Sequence, residues 1–243
     1  MSVKKSAYMK IAIMQPYLFP YLGYFQLLAA ADKFVMLDDV HFINKGWINR
    51  NRILINGHST MFTLPLDQAS QNKLIKDIQV KQDKRWVSKF LKSIEMSYKK
   101  APYFKGVFPL IQTAIEREVV GISDMVYYSL LEINKYLKIE TEIVPHSGSY
   151  DTKGLQGQDR IIEICSLCGA SDYINPIGGL ELYDRAKFEE RNINLSFLSP
   201  VLDPYPQHSD VFIAGLSIID VLMQNSPEQV NLFLKNYNLL NAK

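Results

Sequence analysis

The chain has 243 residues, of which 47% are hydrophobic and 21% charged, with 12 Gly and 11 Pro. This is the composition of a globular protein with a real core, and it excludes a collagenous, low-complexity or disordered chain. The formal net charge of +2 gives no global attraction to nucleic acid or to a membrane surface, and no stretch approaches the roughly 20 apolar residues of a membrane span.

The charge is uneven along the chain. Residues 1–120 hold 18 Lys or Arg against 9 acidic residues, and residues 121–243 hold 9 against 16. An anionic ligand is drawn to the first half, although much of this charge solvates helix surfaces. The apolar run near the start ends at Gln15 and Pro16, too short for a signal-peptide core, and the 2 cysteines cannot build a disulfide framework. A cytoplasmic protein without membrane insertion is expected.

In chain order, Lys10 to Gln15 reads as a buried strand, followed by a loop from Pro16 to Pro20 and a helix from Tyr21 to Ala31. A second strand covers Lys33 to Val40. A strand, a loop, a helix and a second buried strand make a right-handed βαβ unit, so the two strands should be parallel neighbours. Their carboxyl edge then carries Gln15, Asp38, Asp39 and His41. Short strands are expected at Arg52 to Ile55, Met61 to Leu66 and Ile75 to Val80, the first two joined by the turn signal Asn56-Gly57.

Trp86, Phe90, Ile94 and Tyr98 recur every four residues and open a helical stretch, an insertion at about 83–140 that includes Met125 to Leu137. From Thr141 strands and helices alternate again. Strands are expected at Thr141 to Val144, Asp172 to Asn175 and Asn194 to Leu198, with helices at Gln158 to Leu167 and Leu180 to Arg191. The chain closes with a helix around Leu216 to Met223 and another capped by Ser226, with Pro227 at its first position and Gln229 completing a capping box. The fold class is α/β, with a Rossmann-like, mostly parallel sheet, in a single domain spanning 1–243.

Cys165 and Cys168 form a CxxC at the end of a helical run, where the dipole does not lower a thiol pKa, and the four histidines lie far apart in sequence. A structural pair and no metal are expected. The segment Met14 to Arg52 is the chemically dense one. Tyr17, Tyr24 and their aromatic neighbours offer stacking faces beside a proline-fixed loop, with about half of them assignable to core. In the loop from His41 to Asn51, Lys45 and Arg50 flank Gly46 and Trp47, a layout for a diphosphate with a stacked ring. The alternative is a surface turn with a buried Trp. Lys153 and Arg160 are the next candidates for an anion.

The runs QPYLFPYLGYF, DKFVMLDDV and GWINRNRI resemble the WbqC-like family, which is encoded in bacterial gene clusters for O-antigen and other surface polysaccharides. The resemblance continues through KAPYF at Lys100 to Phe104, Lys153 with Asp159 and Arg160, Cys165 to Ala170, Tyr173, and LSIID at Leu216 to Asp220. A weaker similarity links the first βαβ to nucleotidyltransferases of the HxGH type. The corresponding stretch here is Tyr21-Leu22-Gly23-Tyr24, without either histidine, which argues against nucleotidyl transfer.

The resemblance implies an enzyme acting on a nucleotide-linked sugar of the dTDP or UDP type, with acyl or aminoacyl transfer to an amino sugar. In residue terms His41 would be the base, oriented by Asp38 or Asp39, and the Asn49 amide an oxyanion donor. Gln15, Tyr17, Tyr24, Lys45, Trp47, Arg50, Lys153 and Arg160 would bind substrate. The alternatives are a non-catalytic module binding a sugar nucleotide or a pathway partner, or a degenerate nucleotidyltransferase. No cofactor and no nucleic acid are expected, and a homodimer is left open.

Overall fold

The computed structural model describes residues 8–241. The chain start, with Lys4 and Lys5, lies outside the described residues. The first strand β1 (Lys10–Met14) leads through the Pro16 to Pro20 loop into α1 (Leu22–Ala30), and β2 (Lys33–Met36) returns parallel to β1 with Ile11 opposite Lys33 and Met14 opposite Met36. The βαβ expectation holds. The second strand stops four residues early, because the carbonyls of Asp38 and Val40 turn away to accept from Lys76 and Ile75 at 2.8 and 2.9 Å.

A hairpin follows, β3 (Arg50–Ile55) with β4 (His58–Thr63), closed at Asn56-Gly57 where both residues have positive φ. This is the geometry that Asn-Gly supplies at little steric cost. A second ribbon pairs β5 (Leu66–Asp67) with β6 (Gln79–Val80). The strand expected over Ile75 to Val80 is corrected: Ile75–Asp77 is a 3₁₀ turn, because its backbone serves the Asp38 to Val40 segment instead of a ladder.

The helical stretch is α2 (Lys84–Tyr98), α3 (Phe104–Ile115) and α4 (Ile122–Leu137). Asp83 caps α2 by accepting from the N–H groups of Arg85 and Trp86, both at 3.0 Å. The four-residue repeat is the buried stripe: Phe90, Ile94 and Tyr98 are buried and Trp86 is half-buried.

The sheet resumes with β7 (Glu142–Val144), then α5 (Gly157–Cys168), β8 (Asp172–Pro176), α6 (Arg185–Glu189) and β9 (Asn194–Pro200). The helix expected from Leu180 to Arg191 is corrected to a 3₁₀ helix over Ile177–Leu182 and the short α6. Asp184 breaks the run by accepting from Ala186 N–H at 3.0 Å, an N-cap bond that starts a new helix. The chain continues through α7 (Ile218–Gln224) and α8 (Pro227–Lys235), where Ser226 Oγ accepts from Gln229 N–H at 3.2 Å. A last strand β10 (Tyr237–Asn241), absent from the sequence reading, adds to the edge antiparallel to β9.

The six strands lie in the order β10-β9-β8-β1-β2-β7, with every pair parallel except β10 and β9. Side chains alternate across it. Ala12, Phe34 and Met36 pack into a core with α1, α4, α7 and α8, while Ile11, Ile13 and Val35 pack into a second core with α5 and Phe188 of α6. Helices therefore cover both faces. The chain runs outward from β1 to β2 and β7 on one side and to β8 and β9 on the other, so the order reverses between β1 and β8. In open sheets of this kind ligands bind beyond the carboxyl ends of the strands near such a reversal. Among the described residues no helix is long and apolar enough to cross a membrane.

Candidate functional site

Beyond the carboxyl end of β2 the chain reads Leu37, Asp38, Asp39, Val40, His41. Backbone bonds pin this segment: Leu37 N–H donates to Met14 O at 2.8 Å, and Phe42 N–H to Lys73 O at 2.9 Å. Alternation then sends the two carboxylates to different places. Asp38 is fully buried, and its carboxylate accepts from Ser147 N–H at 3.2 Å and meets His146 Nδ1 at 2.7 Å. Asp39 pairs with the Arg160 guanidinium and accepts from the Ser147 hydroxyl. Burial pushes the Asp39 carboxyl up, but the bonds from Arg160 and Ser147 outweigh it and hold the group below its usual range.

Arg160 stands in the first turn of α5, and its Nε donates to Thr152 Oγ1 at 3.0 Å. Two clefts share this arginine. One, of about 540 Å³, is lined by Asp39, Val40, His41, Leu155, Arg160 and Leu182 among others, and it includes Gly157 at the start of α5. The other, of about 610 Å³, is lined by Asp39, Lys76, Gly148, Lys153, Leu155 and Arg160 among others. Both volumes fall in the range of roughly 300–1,000 Å³ typical of small-molecule sites. Gly157 has φ +53, a left-handed conformation that spares a side chain at the helix entrance.

Of the residues expected to bind or react, Asp39 and Arg160 line both clefts, His41 lines the first and Lys153 the second. The others are placed elsewhere. Tyr24 is a core residue, 2% exposed, whose hydroxyl donates to Gln15 O at 3.0 Å. The Tyr17 ring packs 5.6 Å from that of Tyr24, and neither cleft lining includes Gln15 or Tyr17. The Asn49 amide donates to Leu64 O at 2.7 Å, so it closes a loop and does not face the clefts as an oxyanion donor.

Arg50 spends its guanidinium on its own turn, donating to the carbonyls of Gly46 (2.7 Å) and Lys45. Lys45, at φ 59, is exposed at that turn. Trp47 is 41% exposed and lies under two guanidinium carbons, Arg50 at 5.9 Å and Arg52 at 5.7 Å. Of the catalytic and binding groups expected near the first two strands, Asp39 and His41 line a cleft, whereas Asp38 is fully buried and Trp47 sits on a separate loop stacked with arginines.

The expected partner of the buried carboxylate is also corrected. Asp38 orients His146, not His41, and the Nε2 of His146 faces Asp124 of α4 at 3.5 Å. His146 lies two residues past the end of β7, at the same sheet edge as Asp38. That position was the signal in the sequence.

The residues shared with the resemblance instead interlock. Asn51 Nδ2 and Ser217 Oγ both donate to Phe19 O, at 2.8 and 2.7 Å, and Phe19 has φ 43. Asp220 is fully buried and accepts from Tyr98 (2.8 Å), Tyr205 (2.7 Å) and Gln207 (3.1 Å). The GWINRNRI and LSIID runs thus brace the QPYLFP loop and the core.

Cys165 and Cys168 are free thiols in the last turns of α5, the first buried and the second half-buried, and burial pushes both thiols up. No group of three His, Cys, Asp or Glu side chains gathers as a metal set among the described residues. A third cavity, of about 620 Å³ between α2 and α3, balances Lys81, Lys84, Lys92 and Arg117 against Asp83, Glu95, Glu116 and Glu118. It lies away from the sheet edge and has no net charge to select a ligand.

Fold and site together define an α/β protein with a mostly parallel sheet and a charged double cleft at the carboxyl edge of that sheet. The chain belongs to the WbqC-like protein family, whose model matches residues 15–232. It is also similar to the uncharacterised protein Rv1507c of Mycobacterium tuberculosis, with 25% identity over 225 residues that cover 90% of this chain and 95% of that protein. No solved structure matches the chain.

Proposed function

We propose that the protein is a transferase of surface polysaccharide (O-antigen) biosynthesis that acts on a nucleotide-linked amino sugar, by acyl or aminoacyl transfer, on a Rossmann-like sheet. The observation that carries this reading is the pair of adjoining clefts that share Asp39 and Arg160, one lined by His41 and the other by Lys153. Arg160, Lys153 and Lys76 supply cations for a diphosphate, and the N–H groups at the start of α5 favour the same charge.

Amine acylation needs a base that takes the ammonium proton so that the nitrogen lone pair attacks the thioester carbon. The C–S bond breaks and the coenzyme A thiolate leaves, taking up that proton as the thiol, and His41 is the histidine that lines the cleft. Incubating the protein with UDP- or dTDP-linked amino sugars and an acyl-coenzyme A donor tests this. Mass spectrometry should show the sugar nucleotide heavier by the acyl group. An unchanged mass with every donor would count against transfer.

A second reading, a binding module without chemistry, is favoured by one observation. Asp38 and Asp39 are both committed to other partners, so neither carboxylate orients the His41 ring. His41→Gln separates the two readings: an enzyme loses turnover at unchanged affinity, whereas a binding module keeps all that it does.

A further inference from the structure

The two clefts that share Asp39, Leu155 and Arg160 differ in character. One is lined by Lys76, Lys153 and Arg160 against Asp39 and Asp151, with the Gly148 to Thr152 turn beside them, a surplus of one positive charge. The other is built from Val40, Leu74, Leu155, Ile161 and Leu182 with the Tyr183 ring. Leu155 is 39% and Leu182 72% exposed, and they come from different loops, one before α5 and one ending the 3₁₀ helix after β8. Open leucine surfaces beside a cationic cleft suit a ligand that is flat and apolar on its faces at one end and anionic at the other.

A hydrogen-bonding group at the apolar cleft narrows the class. Gln158 Oε1 accepts from the backbone N–H of Asp184 at 2.8 Å. A backbone N–H can only donate, so the amide cannot be flipped, and the Gln158 NH₂ is the group left to face a ligand. It calls for an acceptor lone pair on a ring edge, which the carbonyls of uracil and thymine and the ring nitrogens of adenine all supply.

The geometry points to a divided nucleotide site, with a nucleobase ring in the apolar cleft lined by Leu155 and Leu182, held at its edge by Gln158, and its diphosphate in the adjoining cleft on Lys76, Lys153 and Arg160. This rests on the proposed sugar-nucleotide reading and assigns the base and the phosphates to separate walls of it.

Calorimetric titration of the full chain with UDP, ADP and inorganic pyrophosphate tests the assignment. Wild type should bind UDP and ADP more tightly than pyrophosphate. Leu182→Ser, an uncharged change at an exposed position, should weaken UDP about 10-fold and leave pyrophosphate unchanged, and the uncharged Gln158→Met should cost UDP about 5-fold through one lost donor with pyrophosphate again unmoved. Arg160→Ala should weaken both UDP and pyrophosphate. Equal affinities of wild type for UDP and pyrophosphate would overturn the base pocket and leave the anion cleft standing. UDP binding that ignores both Leu182→Ser and Gln158→Met would place the base elsewhere. No binding of UDP or of any UDP- or dTDP-linked sugar would overturn the proposed function itself.

Discussion

Asp38 and Asp39 are adjacent in sequence and opposite in role, because one is buried as an acceptor for Ser147 and His146 while the other faces a cleft with Arg160. The depressed Asp39 carboxyl makes stability depend on pH in the acid range. This contribution is fully present above the ordinary carboxylate value of 3.8 and is lost as pH falls below it through the lower folded value. Thermal melts taken from pH 6 down to pH 2 should therefore fall less steeply for Asp39→Asn than for wild type. The arginines make the complementary test. Arg50 closes its own turn, so Arg50→Ala should leave nucleotide affinity nearly unchanged, whereas Arg160→Ala should weaken it by about 10- to 150-fold if each charge-assisted bond contributes roughly 1.5–3 kcal/mol.

Elements are joined by buried polar bonds as much as by apolar packing. Asp220 on α7 gathers the hydroxyls of Tyr98 from α2 and Tyr205 from the chain after β9, and Tyr98 in turn accepts from Leu54 N–H of β3 at 2.9 Å. Burial raises the Asp220 carboxyl, although the bonds from Tyr205, Tyr98 and Gln207 oppose that rise. Asp220→Ala leaves the Tyr98 and Tyr205 hydroxyls without an acceptor, while Gln207 keeps Tyr205 and Ile213 as acceptors. At about 1–3 kcal/mol for each buried unpaired group, less the recovered cost of burying a carboxylate, a net loss of about 1–4 kcal/mol in urea unfolding is expected. Gln26 does the same for α1 and α8: its amide reaches the carbonyls of Val201, Phe233 and Asn236. These ties are invisible in any local window, since the partners lie as far as 210 residues apart.

Across the whole molecule, one core joins the helical stretch to the sheet: Ile94, Val107 and Leu130 share it with Phe25 and Phe34. The described chain should therefore unfold as one cooperative unit. Trp86, stacked on Phe90 with ring centroids 5.1 Å apart, reports on α2, while far-UV circular dichroism reports on all helices and the sheet. Coincident urea midpoints by the two probes are the expected result. A fluorescence transition well ahead of the dichroism would mean that the residues between β2 and β7 open separately.

By itself the sequence determined the elements whose information is local: the paired first strands from their apolar runs, α2 from its four-residue stripe, the Asn56-Gly57 hairpin and the Ser226 cap. It also placed Asp39, His41, Lys153 and Arg160 among the candidates, because residue type and strand-edge position are enough to mark a charged group as available. Tertiary structure alone decided which of these meet. Asp39 finds Arg160 across 121 residues and Asp38 finds His146 across 108, pairings set by strand order and by which face of the chain turns inward. Only the folded chain could show that Arg50 and Asn49 are spent on backbone carbonyls, since a side chain's hydrogen-bonding capacity is read from the sequence but its partner is chosen by proximity. The short α6 and the edge strand β10 escaped for the same reason: a single capping carboxylate and an open edge of β9 decided them, not a periodic pattern.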